Sequence, residues 1–535
     1  MAATALLAAL LSTVATLVYG GNILISGEYG AGSHFMTGSL LGQVLAGRGH
    51  KVTMLISEAF AHRAEDPVYR DLNFVIFKHA GPIEEVRNRF NSMRHIMFDP
   101  IPTQMAKYVE IYEPGFLDDC KNILRDDNVI GQLKKQKFDV MILDTVWICT
   151  PLIAAKIGGI PLIGMSPVTG IVFPINLSAG NPLYPAIMPE MTSGATQRMT
   201  FYQRLHNAFL SGLFRAVYPS ALKSYDALIA EHNLYPEGKT LFDVIRHDIM
   251  LWLVNTDFAF DFPIPITPNI IPTGGLTARP AQPLSEDLEK FMASSGDHGV
   301  VIFSLGSYFT FGDDMTSMKS DLFNIFADAF AELDQKVIWH MKEADKLNIT
   351  LPPNVKALKW MPQNNLLGHN KTRVFMFHGG NNGLNELAYH GVPTVVIPLM
   401  GDQHDTGARV KAKGLGVTID KMTLATDVVL SSLREVLNNE KYAKNAKRVA
   451  AIFRDRPMPP RERAAFWVEH VIKHGGDHLS SSFKDLSLVE SFMFDVFGFL
   501  ILVLSIIVML FYVSLRWLFR VCKKCIGSKD KIKLS

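Results

Sequence analysis

Cysteine is scarce in this chain, with four residues in 535. That excludes a small disulfide-stapled scaffold and leaves Cys120 and Cys149 as a pair whose bridging stays open. A surplus of charge is also missing, since 53 basic residues stand against 51 acidic ones. With no basic stripe interleaved with aromatics, the composition argues against a nucleic-acid partner. Short-period repeats and low-complexity tracts are absent too, which excludes solenoids and long disordered stretches. What is present is apolar: 48% hydrophobic against 19% charged residues. The length suits two to three folded domains plus membrane-seeking sequence.

Both ends carry that membrane-seeking character. Ala2 to Tyr19 is an apolar run ending in Val18-Tyr19-Gly20, with small residues placed as a signal peptidase needs them. No Lys or Arg precedes it, so a retained anchor is the alternative to a cleaved signal at 1–20. Val496 to Leu515 contains no charge and, at about 1.5 Å per residue, makes a helix of about 30 Å, one bilayer core. Arg516, Arg520, Lys523, Lys524, Lys529, Lys531 and Lys533 follow it, opposed by Asp530 alone. Positive residues stay cytosolic, which predicts a single-pass type I protein with its domains lumenal. Lys531-Ile-Lys-Leu-Ser535 has the spacing of a dilysine retrieval signal, which favours the endoplasmic reticulum membrane over a plain surface-binding tail. In that setting Cys522-Lys-Lys-Cys525 suits palmitoylation better than zinc, having no second ligand pair. Asn176, Asn348 and Asn370 each open a glycosylation sequon.

Between the ends, strand-like runs alternate with helical ones. NILI, KVTMLI, NFVIFK, FDVMILD, PLIGMS and MLWLVNTD recur between residues 22 and 257, interrupted by an apolar, Pro- and Met-rich stretch over 167–250. A second series runs through GVVIFSLGS, KVIWHM, NVKALKWMP, RVFMF and PTVVIPL between 299 and 399. Such alternation predicts an α/β fold of two doubly wound parallel sheets, with Pro263 to Pro283 as the linker and a ligand cleft between them.

The chemistry concentrates at three strand ends of the second unit. FHGGNNGLNE follows RVFMF: its glycines admit backbone close to an anion, and a helix amino terminus supplies free N–H groups. His378 and Asn382 can donate to phosphate oxygens, and Glu386, one turn on, can accept from a ribose diol. Trp360-Met-Pro-Gln363 offers an aromatic plane and an amide, and Asp402-Gln403 offers partners for sugar hydroxyls. In the first unit, Gly32-Ser33-His34 tops the first strand and Asp144 ends another, so an imidazole and a carboxylate can meet. From spacing alone, a satisfied loop histidine is the better reading of His34.

The run of His378, Gly379, Gly380, Asn382, Glu386, Pro393, Pro398 and Asp402-Gln403 resembles the donor signature of the UDP-glycosyltransferases. FSLGS, WMPQNNLLGH and the RDRP segment at 454–479 extend the resemblance toward the membrane-anchored animal branch that includes the UDP-glucuronosyltransferases. Phe377, Thr394 and His404 depart from the usual pattern. The resemblance implies a GT-B fold: Rossmann-like domains at 21–278 for the acceptor and 286–450 for the UDP-sugar, helices at 451–490 returning to the first, a transmembrane helix at 496–515 and a basic tail at 516–535. It implies Trp360 on uracil, Gln363 on the nucleoside, Glu386 on the ribose, and Ser307, His378, Gly379, Gly380 and Asn382 at the diphosphate. Asp402 and Gln403 would hold the transferred sugar, His34 would be the base and Asp144 its partner. The implied reaction is a single inverting displacement onto a hydroxyl of a small lipophilic acceptor. No Asp-x-Asp pair marks a metal site, so no metal cofactor is expected. UDP-glucuronate is the favoured donor, with UDP-glucose or UDP-galactose the alternative. A non-catalytic UDP-sugar-binding membrane protein is the competing class, and homo- or hetero-oligomerisation stays open.

Overall fold

The computed structural model describes residues 20–27, 29–30, 32–306, 316–341 and 350–532. The amino-terminal apolar run, Ser307 and the Asn348 sequon lie outside these residues. After Ser481 the chain divides into a large compact unit and a smaller one.

Two parallel sheets build the large unit. The first contains β1 (Asn22–Ser26), β2 (Lys51–Ser57), β3 (Asn73–Phe77), β4 (Val140–Asp144), β5 (Leu162–Ser166), β6 (Ile249–Val254) and β7 (Ile270–Pro272). The second contains β8 (Val300–Ser304), β9 (Lys336–His340), β10 (Val355–Leu358), β11 (Thr372–Phe377), β12 (Thr394–Val396) and β13 (Gly416–Thr418). Their orders are β3-β2-β1-β4-β5-β6-β7 and β10-β9-β8-β11-β12-β13. Every pairing is parallel. VMILD in β4 and VVIFS in β8 are buried throughout, the continuous apolar runs that a sheet covered on both faces requires. Strand order reverses between β1 and β4, and again between β8 and β11. Open α/β sheets bind ligands outside the strand carboxyl ends at such reversals.

Six helices bear on function: α1 (Gly32–Gly47), α2 (Phe201–His232), α3 (Asn381–His390), α4 (Gln403–Lys413), α5 (Pro460–His474) and α6 (Phe494–Ile532). Helix α5 follows the second sheet in sequence yet packs on the first, burying Ala464, Ala465, Val468 and Val471 with Ile23, Ile25 and Leu41. Arg48, just past α1, grips it with 2.7 Å and 2.6 Å ion pairs to Glu469 and Glu462.

Three sequence expectations are settled or corrected here. Pro263 to Pro283 is not linker throughout, because β7 lies within it and pairs with β6. The strand ends on Pro272 at the sheet's edge, where a missing N–H costs no ladder bond. Cys120 and Cys149 form a disulfide. Asn176 is an unsuitable glycan acceptor in the folded chain: it is buried, donates to the Ile171 carbonyl at 3.0 Å and accepts from Asn181 at 2.8 Å. Asn370 is exposed.

The smaller unit, from Ser482 onward, is dominated by α6. Its stretch Phe494–Lys524 spans 31 residues and contains an 18-residue window of mean hydropathy 3.0, long and apolar enough to cross a bilayer.

Arg48 holds the Glu469 carboxyl down to about 2, helped by His50. A depressed carboxyl stabilises the fold above its ordinary value near 4.5, and that contribution is lost as pH falls through about 2. Glu469→Gln is therefore expected to cost about 1 kcal/mol at neutral pH. Thermal melts of the two proteins should converge as the pH drops toward 2.

Candidate active site

The first reversal carries a histidine–carboxylate pair. Helix α1 begins directly beyond β1, so His34 projects from its first turn at the carboxyl edge of the sheet. Asp144 is the last residue of the adjacent β4. His34 Nδ1 lies 2.8 Å from Asp144 Oδ2, with the imidazole 14% exposed and the carboxylate side chain fully buried. Asp144 Oδ1 also accepts the Val146 N–H at 2.9 Å, which fixes the carboxylate plane. With Asp144 ionised, Nδ1 is the protonated nitrogen that donates to it.

Tyr29 anchors the connection between β1 and α1, a role that sequence reading missed. Its φ of 53° is rare for a non-glycine residue, and its buried hydroxyl donates to Asp119 at 2.8 Å. The rings of Phe77, Phe116 and Trp147 meet it edge-on at 5.5, 5.3 and 5.2 Å. A tyrosine beside a glycine reads as an exposed turn, and only the packing reveals a core residue.

The second reversal carries the glycine-rich turn. Gly379 adopts φ 93°, and a Cβ there would sit 3.0 Å from Val396 Cγ1. A Cβ on Gly306 would sit 2.7 Å from His378 Cε1, and one on Gly380 would run into Nε2 of the same ring. These two glycines therefore make room for the imidazole. Burial lowers the His378 pKa to about 4, so the ring is neutral at neutral pH. His378 Nδ1 and Asn382 Oδ1 are buried with no hydrogen-bond partner among the described residues. Helix α3 starts here on Gly380 without a side-chain cap, so its first N–H groups face the same spot.

Glu386 lies further along α3 and accepts from Gln363 Nε2 at 2.5 Å. Burial raises its pKa to about 7 against the opposing pulls of Gln363 and Arg279. Trp360, just before Gln363, is 76% exposed, an unusual position for an indole and one that leaves a ring face for a base. Ser307 lies outside the described residues.

Asp402 and Gln403 open α4, and much of their hydrogen-bonding capacity is already used. Asp402 Oδ2 accepts the Thr169 N–H at 2.6 Å, and Gln403 Oε1 accepts from Leu399 and Met400 at 2.9 and 3.1 Å. The Asp402 carboxyl is raised by burial and lies within electrostatic reach of His34. Arg409 pairs at 2.5 Å with Asp261 and lies within electrostatic reach of Asp405. Asp405 accepts the Thr192 and Gly194 N–H groups at 2.8 and 3.2 Å.

Polar contacts hold the two reversals opposite each other. Asn381 donates to the Pro167 and Asn255 carbonyls at 2.8 and 3.1 Å, and Asn385 donates to Asn255 Oδ1 at 3.0 Å. Asn382 Nδ2 lies 4.0 Å from Met36 Sδ, two residues beyond His34. The unusual Phe377 is fully buried, stacked on Phe375 at 4.5 Å beneath Gly383, and belongs to the core. Thr394 is likewise buried, its hydroxyl donating to the Phe375 carbonyl at 2.5 Å. His404 is neutral, its pKa lowered to about 4 by burial.

Two Rossmann-like domains with facing switch points, one holding a histidine–carboxylate pair and the other an anion-ready helix terminus, define a GT-B glycosyltransferase. A glycosyltransferase of kitacinnamycin shares this fold, with a TM-score of 0.58 at 19% identity, covering 84% of this chain and 99% of that one. A family model described as UDP-glucoronosyl and UDP-glucosyl transferase matches residues 23–532. UDP-glucuronosyltransferase 2A1 of Mus musculus is 32% identical over 496 residues, 90% of each chain. UDP-glucuronosyltransferase 2A3 of Cavia porcellus is 34% identical over 482 residues, 88% of each. The chain belongs to this UDP-glycosyltransferase family.

The raised Glu386 pKa has a consequence for donor binding. A carboxylate must be ionised to act only as an acceptor toward a diol, so the raised value turns the expected ribose role of Glu386 into a pH test. UDP-sugar affinity should fall as pH drops below about 7, by up to about tenfold per unit. Calorimetric titration should show this slope in the wild type and lose it in Glu386→Gln.

Proposed function

We propose that the protein transfers glucuronic acid from UDP-glucuronate to a hydroxyl of a small lipophilic acceptor by a single inverting displacement. The observation that carries the reading is the 2.8 Å His34–Asp144 pair at one switch point, with the uncapped α3 terminus at the other. The acceptor binds over residues 21–278 and the donor over 286–450. His34 Nε2 takes the acceptor proton as the oxygen attacks the anomeric carbon. Asp144 orients the imidazole and stabilises the imidazolium. Trp360 stacks on uracil, Gln363 contacts the nucleoside, Glu386 holds the ribose, and Ser307, His378, Gly379, Gly380 and Asn382 surround the diphosphate. Negative charge on departing UDP is met by the α3 N–H groups, and no step is assigned to a metal ion. Gln403 Nε2 and the second Asp402 oxygen orient the sugar. The α6 anchor, its basic tail and the dilysine spacing support residence in the endoplasmic reticulum membrane, with the domains lumenal and Asn370 glycosylated.

Arg409 supports a second reading on the donor. It lies on α4 beyond the donor turn, and its Nε is held in an ion pair with Asp261. A neutral hexose, from UDP-glucose or UDP-galactose, is therefore the alternative, and a donor panel with one phenolic acceptor separates the two.

His34→Ala should retain UDP-sugar binding and lose about 10²–10⁴-fold in kcat on phenols. Asp144→Asn should lower kcat with KM little changed. Normal turnover by His34→Ala would refute the base assignment.

A further inference from the structure

The chain between β1 and His34 runs through left-handed backbone. Tyr29, Gly30 and Gly32 have φ of 53°, 92° and 48°, and of these Tyr29 alone has a side chain that disfavours the conformation. Such a residue persists only where its surroundings over-determine it. The Tyr29 carbonyl accepts the Ser57 N–H at 2.9 Å, and its hydroxyl donates to Asp119 from a fully buried ring. Burial, and then the Asp119 charge, raise the Tyr29 pKa well above its ordinary value, so the hydroxyl stays a donor.

Asp119 is in turn held from several sides. Its Oδ1 accepts the Ala80 N–H at 3.2 Å, and its Oδ2 lies 3.0 Å from His79 Nδ1. The other nitrogen of that imidazole meets Ser57 Oγ. Ser57, His79 and Asp119 stand in the order of a hydrolase triad, yet all three are buried, so the network acts on the chain itself.

What the network reaches is the histidine–carboxylate pair. Tyr29 lies five residues before His34, and its ring packs 5.2 Å from that of Trp147, three residues beyond Asp144. Cys120, next to Asp119, is bridged to Cys149, five residues beyond Asp144. Two adjacent residues of the helix Ile101–Arg125 therefore tie down both sides, Asp119 through Tyr29 and Cys120 through Cys149. We infer that Tyr29 and Asp119 are positioning residues that set the His34 imidazole against Asp144. For its effect on turnover the inference rests on the base reading given above.

Tyr29→Phe removes the hydroxyl and leaves the ring and the turn. Tyr112→Phe is the control, because Tyr112 shares the helix of Asp119 but its buried hydroxyl donates to the Arg89 carbonyl at 2.9 Å, outside both catalytic loops. Both are measured in the full chain in microsomes, below their melting temperatures, with a phenol and the better of UDP-glucuronate and UDP-glucose. Tyr29→Phe should lower kcat about tenfold and leave both KM values within about twofold of wild type. A second readout needs no catalysis: the rate at which diethyl pyrocarbonate modifies His34, followed by peptide mass mapping. That rate should rise several-fold in Tyr29→Phe and in Asp119→Asn, and stay at the wild-type value in Tyr112→Phe. Faster modification with an intact kcat would uphold the positioning and sink the base reading alone. An unchanged modification rate in Tyr29→Phe would overturn the inference whatever kcat does. So would an equal rise in Tyr112→Phe, since a general loosening of the core would then account for both.

Discussion

The reversal of strand order is the constraint on which this molecule depends. A parallel sheet that winds outward in both directions leaves a gap at its carboxyl edge where the two windings diverge. Here that happens twice, between β1 and β4 and between β8 and β11. His34 and Asp144 occupy the first gap, and His378 with the α3 terminus occupies the second. Two such gaps are useful only when they face each other. Asn381, Asn385 and Asp402 achieve this by bonding to Asn255, Pro167 and Thr169 of the other sheet's domain.

The same residue type plays opposite parts at the two gaps because its surroundings differ. His34 is held by a buried carboxylate, which favours the positive form of the ring. His378 is packed between glycines away from water, which keeps it neutral and makes it a hydrogen-bonding group, with no charge to offer. The positive character at the second gap therefore comes from backbone N–H groups, which the helix holds in place.

Much of this was legible in the chain. Unbroken apolar runs announced parallel strands, and glycines after RVFMF announced a tight turn into a helix amino terminus. His34 and Asp144 each stood at a strand end, the one place in such a sheet where two distant residues can meet. Other features were not legible, for identifiable reasons. Tyr29 looks like a turn residue until three rings close around it. Asn381 sits in the same glycine-rich motif as Asn382, yet it turns away from the ligand side to bond the other domain. β7 hides among prolines because an edge strand tolerates them. The buried Asn176 still fits a glycosylation sequon.

The sequence by itself determined the class of sheet, the positions of its strand ends, the family and the apolar carboxyl-terminal helix. These follow from local periodicity and short motifs, which neighbouring residues alone specify. Tertiary structure alone decided which polar groups stay available. Asp402 is partly taken by Thr169, Arg409 is taken by Asp261, Glu386 is buried enough to titrate near neutrality, and α2 turns its apolar side outward. Hydrogen-bond partners, burial and pKa depend on groups hundreds of residues away, and only the folded chain brings those groups together.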